Sequence, residues 1–270
     1  MPAATHFELA GAKGRIAVRR CPNDDARYVA LIAHGYGEHA GRYEHVAERL
    51  TDHGAAVYGP DHLGHGHSEG ERAIVEDLED MVGDLHAVAD RAHEDHPALP
   101  VVLIGHSMGG IIATRFAQQH GKELAALVLS GPVVGGNPEI EALLGMDPIP
   151  DVPIDPGMLS RDPEVGRAYA EDALVWHGPF KRPTLEAMFA AIGAIAEGPS
   201  LGSLPTLWIH GEQDPLAPLA VTRPAVERVA GDALEQKVYA GARHEIFNET
   251  NRDEVLGDVL AFLDRALANR

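Results

Sequence analysis

The stretch "LPVVLIGHSMGGIIATRF", Leu99–Phe116, sets two periodicities side by side. Val101–Ile104 is a bare apolar run, the pattern of a strand covered on both faces. Ile111–Phe116 carries the apolar spacing of a helix. Between them stand Gly105, Ser107, Gly109 and Gly110. A strand that passes into a helix through so few residues turns sharply, and the serine at the apex takes strained backbone, at a cost of roughly 1–3 kcal/mol. Side chains two residues to either side would collide across the turn, which accounts for glycine at 105 and 109.

Outward from this turn the alternation continues. "RYVALIAHG" (27–35), "AAVYGPD" (55–61), "LAALVLSG" (124–131), "LPTLWIHG" (204–211) and "EQKVYAG" (235–241) read as strands. Helical spacing closes at Gly54, runs over 72–96, reaches about His120, returns near 222–230 and extends from Arg252 to Ala268. Residues 5–10 and 15–20 alternate like a hairpin around "GAKG". The expected class is α/β, a mainly parallel sheet with helices on both faces. One block breaks the pattern. From about Val134 to Ser200 there is no good strand, and 135–158 is proline-rich. "RDPEVGRAYAEDALV" reads as a helix with Asp162 as N-cap and Pro163 in its first turn, and "RPTLEAMFAAIGAIAEG" as another. The expected division is a core of 1–133 and 201–270, with 134–200 a helical cap over the sheet's carboxyl edge.

Composition narrows the function. Of 270 residues 45% are hydrophobic, enough for one large core. Basic and acidic residues number 22 and 41, a formal net charge of −19, which disfavours nucleic acid and electrostatic docking on anionic lipid. One cysteine, Cys21, cannot form an internal disulfide. With no signal-peptide pattern and no apolar run approaching a membrane span, the expectation is a soluble, cytoplasmic protein, peripheral to membranes at most. The oligomeric state is not legible.

Gly105-x-Ser107-x-Gly109 after a strand and before a helix is a nucleophile elbow, which lifts a serine hydroxyl above the sheet edge. The following helix aims its N-terminal amides at the same point, where an oxyanion can develop. A serine needs a base. Sixteen histidines are available, but in this architecture acid and histidine follow the serine in that order, after later strands. Asp214 in "WIHGEQDPLAP" and His244 in "KVYAGARHEIFNE" meet that order, with Glu212 the nearest rival to Asp214. The Met108 amide is one oxyanion donor, and the Tyr36 amide, between Gly35 and Gly37, is the second. His62, His65 and His67 in "DHLGHGHSEG" could bind a metal, but they are glycine-spaced on a loop, and a hydrogen-bonded loop beside the serine is the reading taken. No metal or cofactor is expected.

"HGYGEHAGRY", "PDHLGHGHSEGER", "GHSMGG", "LSRDPEVGRAYAEDALV" and "GARHEIFNE" together resemble the monoacylglycerol lipases, a group also called serine aminopeptidase S33 or lysophospholipase-like. The likeness covers nearly the whole chain after about residue 25. It implies an α/β-hydrolase fold with a cap, Ser107, Asp214 and His244 as the triad, and the Tyr36 and Met108 amides as the oxyanion hole. It also implies that Glu38, Arg42 and Tyr169 line a glycerol pocket, although Glu38 and Arg42 could simply pair to hold their loop. The expected activity is a serine carboxylesterase acting on monoacylglycerols through an acyl-enzyme. Alternatives are other neutral monoesters or lysophospholipids, a cofactor-free perhydrolase, and a non-catalytic ligand-binding relative. The helix 182–198 is expected to line an acyl tunnel, with Leu143 and Leu144 at its mouth touching a micelle or membrane surface.

Overall fold

The computed structural model of the protein describes residues 4–268, so the first three and last two residues of the expected core lie outside it. Eight strands form one sheet: β1 (Thr5–Ala10), β2 (Arg15–Cys21), β3 (Tyr28–Ala33), β4 (Ala55–Pro60), β5 (Val101–His106), β6 (Leu124–Ser130), β7 (Thr206–Gly211) and β8 (Leu234–Tyr239). Their order is β1-β2-β4-β3-β5-β6-β7-β8. β1 and β2 form the antiparallel hairpin, β2 runs antiparallel to β4, and all other pairs are parallel.

The helices are α1 (Glu44–Asp52), α2 (Leu78–Asp95), α3 (Met108–His120), α4 (Pro138–Ala142), α5 (Pro163–Glu171), α6 (Arg182–Glu197), α7 (Leu219–Val229) and α8 (Arg252–Leu267). Alternation along the strands explains the layers. Val29, Leu31 and Ala33 of β3 face a core shared with α2, α3, α6 and α7. Tyr28, Ala30 and Ile32 face a second core with α1 and α8. Every residue of β3, β4, β6 and β7 is therefore buried, and these strands read as unbroken apolar runs because neither face meets water. The structure is an α/β-hydrolase fold.

Two expectations need correction. The helix expected over 72–96 begins at Leu78, capped by Asp77, whose side chain accepts the Glu79 amide. Residues 72–77 are loop. Ala73 has φ +59°, outside helical space, and Thr184 Oγ1 holds the segment by accepting the Val75 amide and donating to the Ala73 carbonyl. The proline-rich stretch, whose composition predicts irregular chain, also contains α4, with Asn137 as N-cap and Pro138 in the first turn. Between β6 and β7 no strand forms among the described residues; α4, α5 and α6 occupy the connection. No helix among the described residues is long and apolar enough to cross a membrane.

Candidate active site

The turn after β5 is as sharp as its glycines require. Ser107 has φ 55° and ψ −118°, and among residues 102–114 it is the only one not buried. A Cβ on Gly105 would strike the Gly109 carbonyl and Ala113, and one on Gly109 would strike the backbone of Ala33 and His34 at the end of β3. Strain at a serine is retained here because β5, α3 and β3 are packed against each other without room to relax it. The Ser107 amide donates to the Ser130 carbonyl (3.0 Å), which anchors the turn to β6. Met108 opens α3, so its amide is one of the first-turn donors with no carbonyl four residues back.

Asp214 and His244 meet beyond the carboxyl ends of β7 and β8. His244 Nδ1 donates to Asp214 Oδ2 at 2.8 Å. The other carboxylate oxygen, Oδ1, accepts the Leu216 and Ala217 amides (2.9 and 2.8 Å), so the side chain also shapes its own turn. Glu212, the rival, is exposed and accepts the Gly241 amide. Burial opposes ionisation of Asp214, but the His244 ring beside it outweighs burial and holds the carboxyl below the usual range. Burial equally opposes protonation of His244; the Asp214 charge and hydrogen bond prevail and raise its pKa above 6.5. Gly131, at φ +49°, fits against this pair: a Cβ there would lie 3.3 Å from Asp214 Oδ2 and 3.4 Å from His244 Nδ1.

The loop after β3 carries a buried charge cluster. Glu38 Oε1 accepts the Gly35 amide and the Tyr43 hydroxyl, both at 2.6 Å, while Oε2 accepts Arg42 at 2.7 Å. Arg42 also makes a two-pronged pair with Glu245, at 2.6 and 2.8 Å. Burial by itself would raise the Glu38 carboxyl, but Arg42 holds it well below the usual range. Glu38 and Arg42 thus do pair to hold the loop, and they pin it to the residue next to His244. Tyr169 stands apart: its ring lies against the Arg42 guanidinium, 5.1 Å from centroid to Cζ, and it packs with Leu159 and Val175.

A narrow cleft open to solvent is lined by Ser107 and His244 together. Glu38, Arg42, His106 and Glu245 form polar wall; Val133, Ile140, Ile154, Leu159, Phe180, Met188, Phe189, Ile192 and Leu216 form apolar wall. Tyr36 lines it too, its ring stacked on Phe180 (5.2 Å) and its hydroxyl accepting the Lys181 amide. Tyr169 is not among the lining residues and reaches the cavity only through Arg42. α6 divides its faces: Met188, Phe189 and Ile192 line the cavity, while Leu185, Ala191 and Ile195 are buried. Leu143 and Leu144 are half-buried; among the described residues the exposed large apolar side chains are Met146, Val152 and Met158, all in the same β6–β7 connection.

Three residues at the site had no assigned role in the sequence. His106 precedes Ser107; its Nδ1 donates to the Ser130 carbonyl (3.0 Å), and its ring lies 4.8 Å from that of His244. Burial and the neighbouring His244 push it down to about 4. His210 packs under Asp214, with Nδ1 accepting Trp208 Nε1–H and Nε2 donating to the Ala217 carbonyl. Glu245 follows His244. Position next to the assigned serine or histidine was a usable signal for two of the three. The histidine-rich loop is held chiefly by Asp61, which accepts the Ala40 and His67 amides at 2.8 Å. His62 and His65 are buried beside His34, ring to ring at 4.3 and 5.4 Å, and burial keeps all three neutral.

A family model described as "Serine aminopeptidase, S33" matches residues 24–251. A monoacylglycerol lipase of Mycolicibacterium smegmatis is 39% identical over 251 residues, covering 90% of each chain. A human monoglyceride lipase is 32% identical over 238 residues, 84% of this chain and 78% of that one. Among solved structures, a monoglyceride lipase variant of Saccharomyces cerevisiae in complex with a substrate analog superposes with a TM-score of 0.84 at 20% identity, over 98% of this chain and 96% of that one. A carboxyl esterase of Bacillus coagulans in complex with glycerol gives 0.81 at 24% identity, over 99% of this chain and 100% of that one. At those identities the structures share the fold, whereas the sequence matches carry the family: this chain belongs to the monoacylglycerol lipases, within the serine aminopeptidase S33 group of α/β-hydrolases.

Proposed function

We propose that the protein is a serine carboxylesterase that hydrolyses monoacylglycerols to fatty acid and glycerol. The observation that carries this reading is the cavity itself, in which Ser107 and His244 share one wall with a buried charge cluster and face a long apolar surface. A monoester with a polar alcohol and an apolar chain matches that division.

In this reading His244 takes the Ser107 proton as the hydroxyl attacks the ester carbonyl, and the Tyr36 and Met108 amides hold the tetrahedral oxyanion. His244 then protonates the leaving glycerol oxygen, and water releases the acid by the reverse sequence. Asp214 fixes the Nδ1–H tautomer of His244 and stabilises its charged form. The free glycerol hydroxyls meet Arg42, Glu38 and Glu245. Glu38 accepts three hydrogen bonds of the roughly four a carboxylate can take, which leaves room for one from substrate. Tyr169 supports this end by orienting Arg42. The acyl chain runs along Met188, Phe189 and Ile192. The β6–β7 connection acts as the cap, residues 134–200 as read from the sequence, and Met146 and Val152 are its contact with a lipid surface. With a net charge of −19 that contact is apolar.

The test is a substrate panel. Monoacylglycerol should exceed triacylglycerol by at least about tenfold in kcat/KM, since acylated hydroxyls leave the polar wall unmatched. Met146→Ser with Val152→Ser should slow micellar long-chain monoacylglycerol and spare a soluble short-chain ester. Preference for triacylglycerol would overturn the substrate reading, and equal slowing of both substrates would overturn the surface contact.

A further inference from the structure

His86, His120 and Glu123 bring ligand atoms within 4.8 Å of one another, and none of them lines the catalytic cleft. His86 projects from the middle of α2, His120 is the last residue of α3, and Glu123 ends the short turn that leads into β6. The two imidazole rings are stacked, 4.0 Å apart and 26° from parallel. His86 Nε2 lies 3.2 Å from Glu123 Oε2, and His120 Nδ1 lies 3.2 Å from Glu123 Oε1. A second carboxylate, Asp90 one turn along α2, places Oδ2 at 3.6 Å from the other nitrogen of His86. Both histidine side chains are a little over a quarter exposed and Glu123 is half exposed, so the cluster is open to ions from solvent.

We propose that these residues form a binding site for a divalent transition-metal ion of the zinc, copper or nickel type. Ligand atoms around a tetrahedral zinc with bonds near 2.1 Å stand about 3.4 Å apart. Measured to the single oxygen Oε1 of Glu123, two of the three spacings are 3.5 and 3.2 Å, so an ion that displaces the shared protons finds its ligand atoms close together, and the stacked rings swing to aim both lone pairs at it. Two imidazole nitrogens select borderline transition ions over magnesium or calcium, which take all-oxygen sets. Two histidines and one carboxylate leave a fourth position for water. Asp90 Oδ2, at 3.6 Å, lies on the side of the distal N–H of His86 where a carboxylate would close in to orient a metal-bound imidazole. The ion would clamp the middle of α2 to the far end of the helix that starts at Ser107.

Tag-free protein, stripped with chelator and dialysed, is titrated with zinc chloride by calorimetry at pH 7.5. The expected result is a saturable site in the micromolar range, weakened by about tenfold or more in both His86→Ala and His120→Ala. Zinc should raise the thermal midpoint of the wild type and lose that effect in both variants, while millimolar magnesium does nothing. Glu123→Gln keeps a hydrogen-bonding group but loses the anionic ligand, and it too must bind zinc more weakly; this arm stands even if a histidine variant folds poorly. Absence of saturable binding, or binding undiminished in all three variants, overturns the proposal.

Discussion

At the scale of single residues, the proposed triad makes a prediction that burial alone would not. His244 must be neutral to act as base, and its pKa is raised above 6.5, chiefly by Asp214 working against burial. Activity should therefore fall with a midpoint above the roughly 6.5 of an unperturbed imidazole as pH drops. Asp214→Asn removes the charge that raises His244, so the midpoint should shift to lower pH while the maximal rate falls. Ser107→Ala and His244→Ala should each lower turnover by roughly 10⁴ or more. A pH–rate profile for wild type and Asp214→Asn, with single-turnover rates for the other two, checks this. An acid limb unmoved in Asp214→Asn would detach Asp214 from the base. The candidate serine, acid and histidine were chosen from the sequence because chain order and strand ends constrain them. Glu245 was legible only as the neighbour of His244; its pairing was not, because its partner Arg42 lies 203 positions away.

At the scale of elements, α6 is the informative helix. Its sequence is apolar nearly all round, and such a helix is covered on most sides without saying by what. The structure divides it between α3 and α2 on one side and the cavity on the other. The two faces should respond differently to truncation. Leu185 is fully buried, and Leu185→Ala should cost about 2–5 kcal/mol of stability with little change in chain-length preference. Phe189→Ala, on the cavity wall, should cost less stability and should lower kcat/KM for long-chain relative to short-chain esters. Urea denaturation paired with an ester series separates the two; identical behaviour would mean that α6 has no substrate face. The start of α2 was misread for a related reason. Ile74, Glu76 and Asp77 continue the helical spacing, but Thr184, more than a hundred residues on, holds that segment as a loop.

At the scale of the whole molecule, buried histidines set the acid stability. His34, His62, His65 and His106 are held neutral by burial, His65 at about 3 and His106 at about 4. The unfolded chain takes up these protons as pH falls below about 6.5, whereas the folded chain does not, so each ring costs up to about 1.4 kcal/mol per pH unit below that point. His244 has the opposite sign, since its raised pKa favours the folded state at low pH, but it is one group against six, because burial lowers His45 and His210 as well. Glu38 and Asp214, with lowered pKa values, add a further loss nearer pH 4. Unfolding free energy should therefore begin to fall below about pH 6.5, before the carboxylates titrate. Urea midpoints between pH 8 and 5 check it; a flat profile over that range would mean that these rings are not held neutral.

The sequence by itself determined an α/β fold with a mainly parallel sheet, because buried strands and sharp glycine turns are local patterns set by sterics and solvent exclusion; the α/β-hydrolase fold was what the resemblance of its motifs implied. It also determined the chain order of serine, acid and histidine, because each follows a strand end. The tertiary structure alone decided what those residues touch. Glu38, Arg42 and Glu245 join into one charge cluster, Tyr169 is placed behind Arg42, and Leu143 and Leu144 are half-buried while Met146 and Val152 are exposed. The surface histidines 86 and 120 meet in the same way, 34 positions apart in sequence and ring against ring in the fold. The physical reason is common to all of them: hydrogen bonds and ion pairs form between whatever side chains the packing of distant elements brings within about 3 Å, and periodicity along the chain carries no record of that distance.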